Sequence, residues 1–274
     1  MIIKAIVENT SNRQDLAWEH GLSLYIETQK HKLLFDTGAS ALFAQNAAKL
    51  DIDLAAIDTV ILSHGHYDHG GGLATFLKYN SKAKIYLHQH AFGPYYSQKS
   101  NGEKGYIGLD ETLLPNERFV FVQDEWVLDE ELTLFSGVKG HELQPSGNRT
   151  LLKKMGHDFE PDDFAHEQNL IIRENGKTAL IVGCAHKGIV NILKHFSALY
   201  TDIPHCVVGG FHLYNCITDE TEDAAIIKQI AQFLLTIDTT YYTCHCTGMV
   251  AYEQLKTIMK EKIQYLATGE QILL

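Results

Sequence analysis

The 274-residue chain is 45% hydrophobic and 21% charged with only 5 prolines, so it has ample material for a core and little for long disordered linkers. Its formal net charge of -11 excludes a phosphate-neutralising nucleic-acid surface, which needs clustered Lys and Arg. Length and composition together point to one compact globular domain spanning residues 1–274.

The start, Met1-Ile2-Ile3-Lys4-Ala5, lacks a long apolar stretch and is soon interrupted by Glu8 and Asn9, so neither a secretory signal nor a membrane span is expected and the location expected is cytoplasmic. Ile2 to Val7, Leu22 to Glu27 and Lys32 to Phe35 read as strands, the last two joined as a hairpin. Leu42, Phe43, Ala47 and Leu50 recur at helical spacing, placing a helix between Ala39 and Leu50 after the Asp36-Thr37-Gly38 turn. Thr59 to Leu62 is a buried strand, and Leu73, Phe76 and Leu77 open a helix behind the loop that follows it.

After the strand Lys84 to Leu87, the run from His88 to Gly108 is rich in aromatics and loop formers, and a second irregular run covers Gly137 to Asp163 beyond the strand Leu132 to Phe135. Runs of this length in compact domains are usually functional lids or mobile loops, and for the first of these a lid and a plain surface loop stand as equal alternatives. The second half restarts the rhythm with an Asn-Gly hairpin, Asn169 to Arg173 and Thr178 to Val182. A helix follows from Ile189 to Leu199, then the strand Cys206 to Val208, a helix from Glu220 to Leu235, the strand Thr240 to Thr243, a helix from Val250 to Met259 and a strand pair near Ile263 to Leu266 and Gln271 to Leu273. The alternation predicts mixed α/β sheets covered by helices. Five cysteines, an odd number confined to the second half, read as reduced thiols rather than a disulfide framework.

The chemistry concentrates in Ser63-His64-Gly65-His66-Tyr67-Asp68-His69-Gly70-Gly71-Gly72, directly after a buried strand. Three histidines and a carboxylate in six positions of a tight turn can face a common centre, and neutral imidazole and carboxylate suit zinc, iron and manganese. Four ligands from one loop exceed what one open catalytic zinc takes, so two adjacent ions are the simpler expectation. Two further histidines stand just beyond predicted strands, in Gly183-Cys184-Ala185-His186 and Cys244-His245-Cys246-Thr247-Gly248, where α/β architectures present ligands. His212, in Gly209-Gly210-Phe211-His212-Leu213, follows a strand on the same edge and is the first choice for a histidine that meets substrate or moves a proton. His20, His88, His90, His141 and His166 lack such placement, although His20 and His141 lie in loops able to reach a cleft.

The His-x-His-x-Asp-His pattern with its flanking Ser63 and glycines resembles the signature of the metallo-β-lactamase superfamily. That resemblance implies a four-layer αββα sandwich with metals at one edge, His64 and His66 on one ion and Asp68 and His69 on the other. Carried over by position, His186 completes the first site and His245 the second. Superfamily hydrolases often place a further histidine before the second-half hairpin and a bridging aspartate after it; this chain offers Glu167 and Cys184 near those positions. A thiolate can bind soft metals, but a packed thiol is the favoured reading of Cys184. Asp36 is expected to accept the outer N–H of a metal-bound imidazole.

Along nearly its full length the chain also resembles the dihydropterin-methyl-ribofuranosylaminobenzene-phosphate synthase-like subgroup, through Glu19-His20-Gly21-Leu22-Ser23, Phe35-Asp36-Thr37-Gly38, Glu167 before Leu170, Gly183 to Asn191, Gly209 to Leu213 and His245 to Gly248. The expected function is a hydrolase using a metal-activated water on a small, phosphorylated or heterocyclic substrate, with Asp68 and His212 as catalytic residues and one or two divalent ions, zinc ahead of manganese, iron or magnesium. Tyr95, Tyr96 and Phe92 with Phe211 would stack on a flat ring, and Lys99 or Lys104 would meet a phosphate. Two alternatives stand beside it: a transferase joining a dihydropterin pyrophosphate to an aromatic amine, as the subgroup implies, and a metal-dependent ligand sensor without turnover.

Overall fold

The computed structural model describes residues 1–274. Its strands make two seven-stranded sheets. The first runs, edge to edge, Gln271–Leu273, Ile2–Val7, Ser23–Glu27, Lys32–Phe35, Thr59–Ile61, Lys84–His88 and Phe119–Val122. The second runs Ile263–Tyr265, Thr240–Thr243, Cys206–Gly209, Lys177–Ile181, Asn169–Glu174, Leu132–Phe135 and Glu125–Val127. In each sheet four consecutive strands are parallel, so their C-terminal ends open on one edge.

Side chains alternate across these strands with period two, and both faces are apolar because both are covered. Leu33, Phe35 and Ile61 of the first sheet meet Leu170, Ile172, Ile181 and Val208 of the second in a shared inter-sheet core. Their strand neighbours point the other way: Leu34 and Val60 pack under Phe43, Ala47 and Phe76, while Ile171, Leu180, Val207 and Tyr241 pack under Ile192, Phe196, Ile230 and Leu255. Helices Leu42–Lys49 and Leu73–Tyr79 cover one sheet, and Ile189–Leu199, Ala224–Leu234 and Met249–Met259 the other. The result is the four-layer αββα sandwich. No helix is long and apolar enough to cross a membrane.

Three local expectations are revised. Asp223, whose side chain accepts from Ala225 N, starts the helix at Ala224, and Glu220–Thr221 instead pairs with Tyr214–Asn215. The final two strands do not pair with each other: Ile263–Tyr265 stays in the second sheet while Gln271–Leu273 crosses to the edge of the first. The two runs read as irregular hold strands and join, since Tyr95–Gln98 pairs with Lys104–Tyr106 on one side and Leu151–Met155 on the other. With Asp158–Pro161 these form a four-stranded flap beside the open edge.

Candidate metal centre

The histidine loop begins where the strand Thr59–Ile61 ends, and its partners arrive from parallel strand ends of the other sheet. Close approach of the two halves is built into Gly183, where a Cβ would lie 2.3 Å from Ser63 Oγ. Asp36, Ala185, His212 and His245 all hold left-handed backbone, with φ of 62, 54, 49 and 50°. Such conformations are costly for residues other than glycine and concentrate at functional turns.

Four imidazoles converge with their outer nitrogens already occupied. Ser63 Oγ donates to Asp36 Oδ2 at 2.7 Å, so it can only accept from His64 Nδ1, 2.9 Å away. His69 Nδ1 donates to Asp36 Oδ2 at 2.6 Å, and Ser63 N donates to Asp36 Oδ1. His186 Nδ1 donates to Asn148 Oδ1 at 3.1 Å, an amide oriented by its own donation to His186 O. His245 Nδ1 donates to Asn9 Oδ1 at 2.7 Å. In the neutral ring a proton on Nδ1 leaves Nε2 a bare lone pair. Those lone pairs face one another: His64 Nε2 is 3.3 Å from His186 Nε2, and His69 Nε2 is 3.2 Å from His245 Nε2.

Asp68 Oδ2 lies 3.3 Å from His245 Nε2 and 3.6 Å from His69 Nε2. Cys184 Sγ is 3.1 Å from His69 Nε2. The donor atoms of Asp68, His69, Cys184 and His245 all lie within 4.8 Å of one another, as do those of His64, Cys184 and His186. The thiol therefore sits between two ligand-type clusters rather than in an apolar recess. Facing lone pairs repel unless a cation stands among them, so this donor set of buried imidazoles, carboxylate and sulfur fits divalent metal.

Electrostatics agree for most of the set. Burial, then neighbouring imidazoles, push His64 and His186 well below the ordinary histidine range, and burial takes His245 down to about 3. These rings are neutral, the form that binds metal. Burial opposes ionisation of Asp68, but His69, His20 and His245 outweigh it and hold its carboxyl well below the usual range. His69 goes the other way: burial lowers it, and Asp36 and Asp68 raise it further.

His66 stands with its ring 4.6 Å from that of His64 and 5.0 Å from that of His186, its Nε2 unpartnered and 3.8 Å from Asp162 Oδ2. His66, Asp162 and His166 form another close group, yet both nitrogens of His166 are engaged. Its Nδ1 accepts from Gly65 N at 2.9 Å and its Nε2 donates to Asp162 at 3.1 Å, so His166 supports the loop rather than offering a lone pair. Glu167 accepts from the backbone N–H of His186 and of Lys187 and is pushed up to about 7 by burial. It holds the loop carrying His186 and does not touch the ring nitrogens.

His212 lines a cleft of about 110 Å³ together with His20, His66, Asp68, His186 and His245, and both its ring nitrogens are buried without a partner. A polar chamber of about 550 Å³ adjoins this cleft through His212, Gly147, Thr150 and Asn215. The aromatic residues expected to stack on substrate lie elsewhere. Phe211 is 0% exposed and packs in the core under the second sheet with Tyr241. Tyr95 is buried against His166 with its hydroxyl donating to His90 O, and Tyr96 packs on Tyr106 and Phe159 in the flap. Lys99 pairs with Glu103 and Lys104 lies over the Phe159 ring. Nothing in the sequence signals Asn9, Asn148 or Asp162, and sequence reasoning sets His166 aside, whereas His20 lines the cleft that its loop is expected to be able to reach.

Comparison with known proteins agrees with this geometry. The family model of the metallo-beta-lactamase superfamily matches residues 16–151. The crystal structure of Tm1679, described as a metal-dependent hydrolase of the beta-lactamase superfamily, superposes with a TM-score of 0.83 at 30% identity, covering 100% of this chain and 99% of that one. An uncharacterized protein of Methanocaldococcus jannaschii is 29% identical over 94% of each chain. The 7,8-dihydropterin-6-methyl-4-(beta-D-ribofuranosyl)-aminobenzene-5'-phosphate synthase of the same organism is 28% identical over 98% of this chain and 95% of its own.

Proposed function

The chain belongs to the metallo-beta-lactamase superfamily, and from that membership we propose that it is a hydrolase of small molecules whose centre takes two divalent ions, zinc first. The observation that carries this reading is the set of four Nε2 lone pairs aimed at one another with every Nδ1 engaged outside. His64, His66 and His186 would hold one ion, Asp68, His69 and His245 the other, with Cys184 Sγ within reach of both. Bound there, divalent ions supply Lewis acidity and lower the pKa of water toward about 7. The protein's own part is to fix ligand tautomers through Ser63, Asp36, Asn148 and Asn9, and to present His212 to the substrate. With no partner for either nitrogen, and with burial pushing its pKa down to about 3, His212 offers a neutral ring N–H that is free to donate to charge developing on the substrate.

The test is to count zinc, manganese and iron bound per chain, then to assay esters, lactones and phosphodiesters in isotope-labelled water. Stoichiometric metal with label in the product is the expected result. A chain that binds no divalent ion, even after unfolding and refolding with metal, overturns it. Full-length similarity to the 7,8-dihydropterin-6-methyl-4-(beta-D-ribofuranosyl)-aminobenzene-5'-phosphate synthase supports transfer of a dihydropterin to an aromatic amine as a second reading. A coupled product without labelled water would favour that reading, and tight ligand retention without conversion would favour a sensor.

A further inference from the structure

Asn9, just past the first strand, touches two histidines at once. Its Oδ1 accepts from His245 Nδ1 at 2.7 Å and from the backbone N–H of Gly21 at 3.3 Å. A backbone N–H can only donate, so it fixes which end of the amide is oxygen, an assignment that side-chain geometry alone leaves open. The amide nitrogen then faces His20, with Nδ2 3.3 Å from His20 Nδ1. In the neutral ring His20 Nδ1 must accept from that amide N–H, which puts the His20 proton on Nε2. His20 Nε2 lies 3.3 Å from Asp68 Oδ2, the same oxygen that His245 Nε2 approaches at 3.3 Å.

We propose that Asn9 imposes opposite tautomers on the two histidines, making His245 a lone-pair ligand and His20 an N–H donor that stays off the metal and steadies Asp68. His20 is by this account a positioning residue for the second ion. The ring centroids are 5.0 Å apart, so distance alone does not separate the roles; the amide does. Its side chain, 34% exposed, also lines the cleft, where its N–H stands beside the place a substrate would occupy. The part concerning metal rests on the function proposed above, whereas the tautomers do not.

The test uses the full chain, metal-free and zinc-loaded, and reads the imidazole nitrogens by heteronuclear NMR. His20 is expected to carry its proton on Nε2. The variant Asn9→Asp keeps the acceptor for His245 and Gly21 but removes the donor to His20, so the proton should move to Nδ1 and free Nε2. Cobalt bound at the second site should then gain a ligand, and its visible absorption should weaken as coordination number rises. His20→Ala should loosen one of two ions by about 10- to 100-fold, and His20→Gln, which still offers an N–H, should restore most of it. A neutral His20 that carries its single proton on Nδ1 in the unsubstituted protein, or Asn9→Asp spectra that leave His20 unchanged, overturns the proposal. A chain that binds no metal refutes the proposed function, yet its metal-free spectra still decide the tautomer once the pH is raised until His20, whose pKa Asp68 and Cys216 lift against its burial to about 11, has lost its second proton.

Discussion

His64 and His186 come from different sheets and different halves of the chain, and their Nε2 atoms meet at 3.3 Å with neither nitrogen carrying a proton to share. The contact is repulsive as it stands and becomes attractive around a cation. Zinc should therefore stabilise the fold measurably. At free metal about 100 times Kd the gain is about 2.7 kcal/mol, read as a shift in urea unfolding and reversed by a chelator. His186→Ala and His245→Ala should each lose part of that shift, whereas a purely structural pair of histidines would show none to lose.

Asp36 accepts from Ser63 N, Ser63 Oγ and His69 Nδ1, all within 2.7 Å. Its φ of 62° is one that asparagine also tolerates, so Asp36→Asn changes charge and acceptor count with little backbone penalty. Two imidazoles lose their anchor together, since Ser63 Oγ ties His64 to the same carboxylate. Metal affinity should fall about 10- to 100-fold. Competition with a chromophoric chelator measures it, and unchanged affinity would remove Asp36 from the account.

The ligand loop was legible because strand, turn and helix are contiguous and each has its own local pattern; strands and helices alternating in both halves predicted mixed sheets covered by helices, and the four-layer sandwich came from the family resemblance. What stayed hidden depends on tertiary approach. Asn9 and Asn148 matter only because turns from distant strands bring ring nitrogens to them. Phe211 looked like a cleft residue as the neighbour of His212. The left-handed backbone at His212, with Phe211 N donating to buried Thr247 Oγ1, sends the two side chains to opposite sides of the sheet end. In the flap, strand alternation separates Tyr95 from Tyr96, burying one and leaving the other half-buried on the far face. The pairing of Tyr96 with Leu152 has no local turn to announce it.

Phe211 thus makes a test of stability against binding. Truncating a fully buried aromatic leaves a cavity, and Phe211→Ala should cost about 3–5 kcal/mol of unfolding free energy. KM for any substrate of the folded fraction should not change, because the ring meets Tyr241 and not the cleft. A raised KM with unaltered urea unfolding would restore the ring to the substrate.

At the end of the molecule away from the metal centre, His31 clasps the two sheets. Its Nδ1 lies 2.9 Å from Asp58 Oδ1, just ahead of the strand that leads to the histidine loop, and its Nε2 is 2.6 Å from Asp129 Oδ2 between strands of the other sheet. Burial pulls its pKa down, but the hydrogen bonds to Asp58 and Asp129 outweigh that and hold it above the ordinary 6.5. A pKa raised on folding means the folded state binds the proton more tightly than the unfolded chain does. The stability this contributes is complete below pH about 6.5 and disappears as pH rises through the raised value. Urea unfolding of the native protein and of His31→Gln, compared from about pH 6 upward, should show the largest gap at the acid end and convergence in base. Because Asp58 is partly exposed, the gap should also narrow in salt. A gap independent of pH would mean that His31 joins the sheets by packing alone and that the ion pairs add nothing.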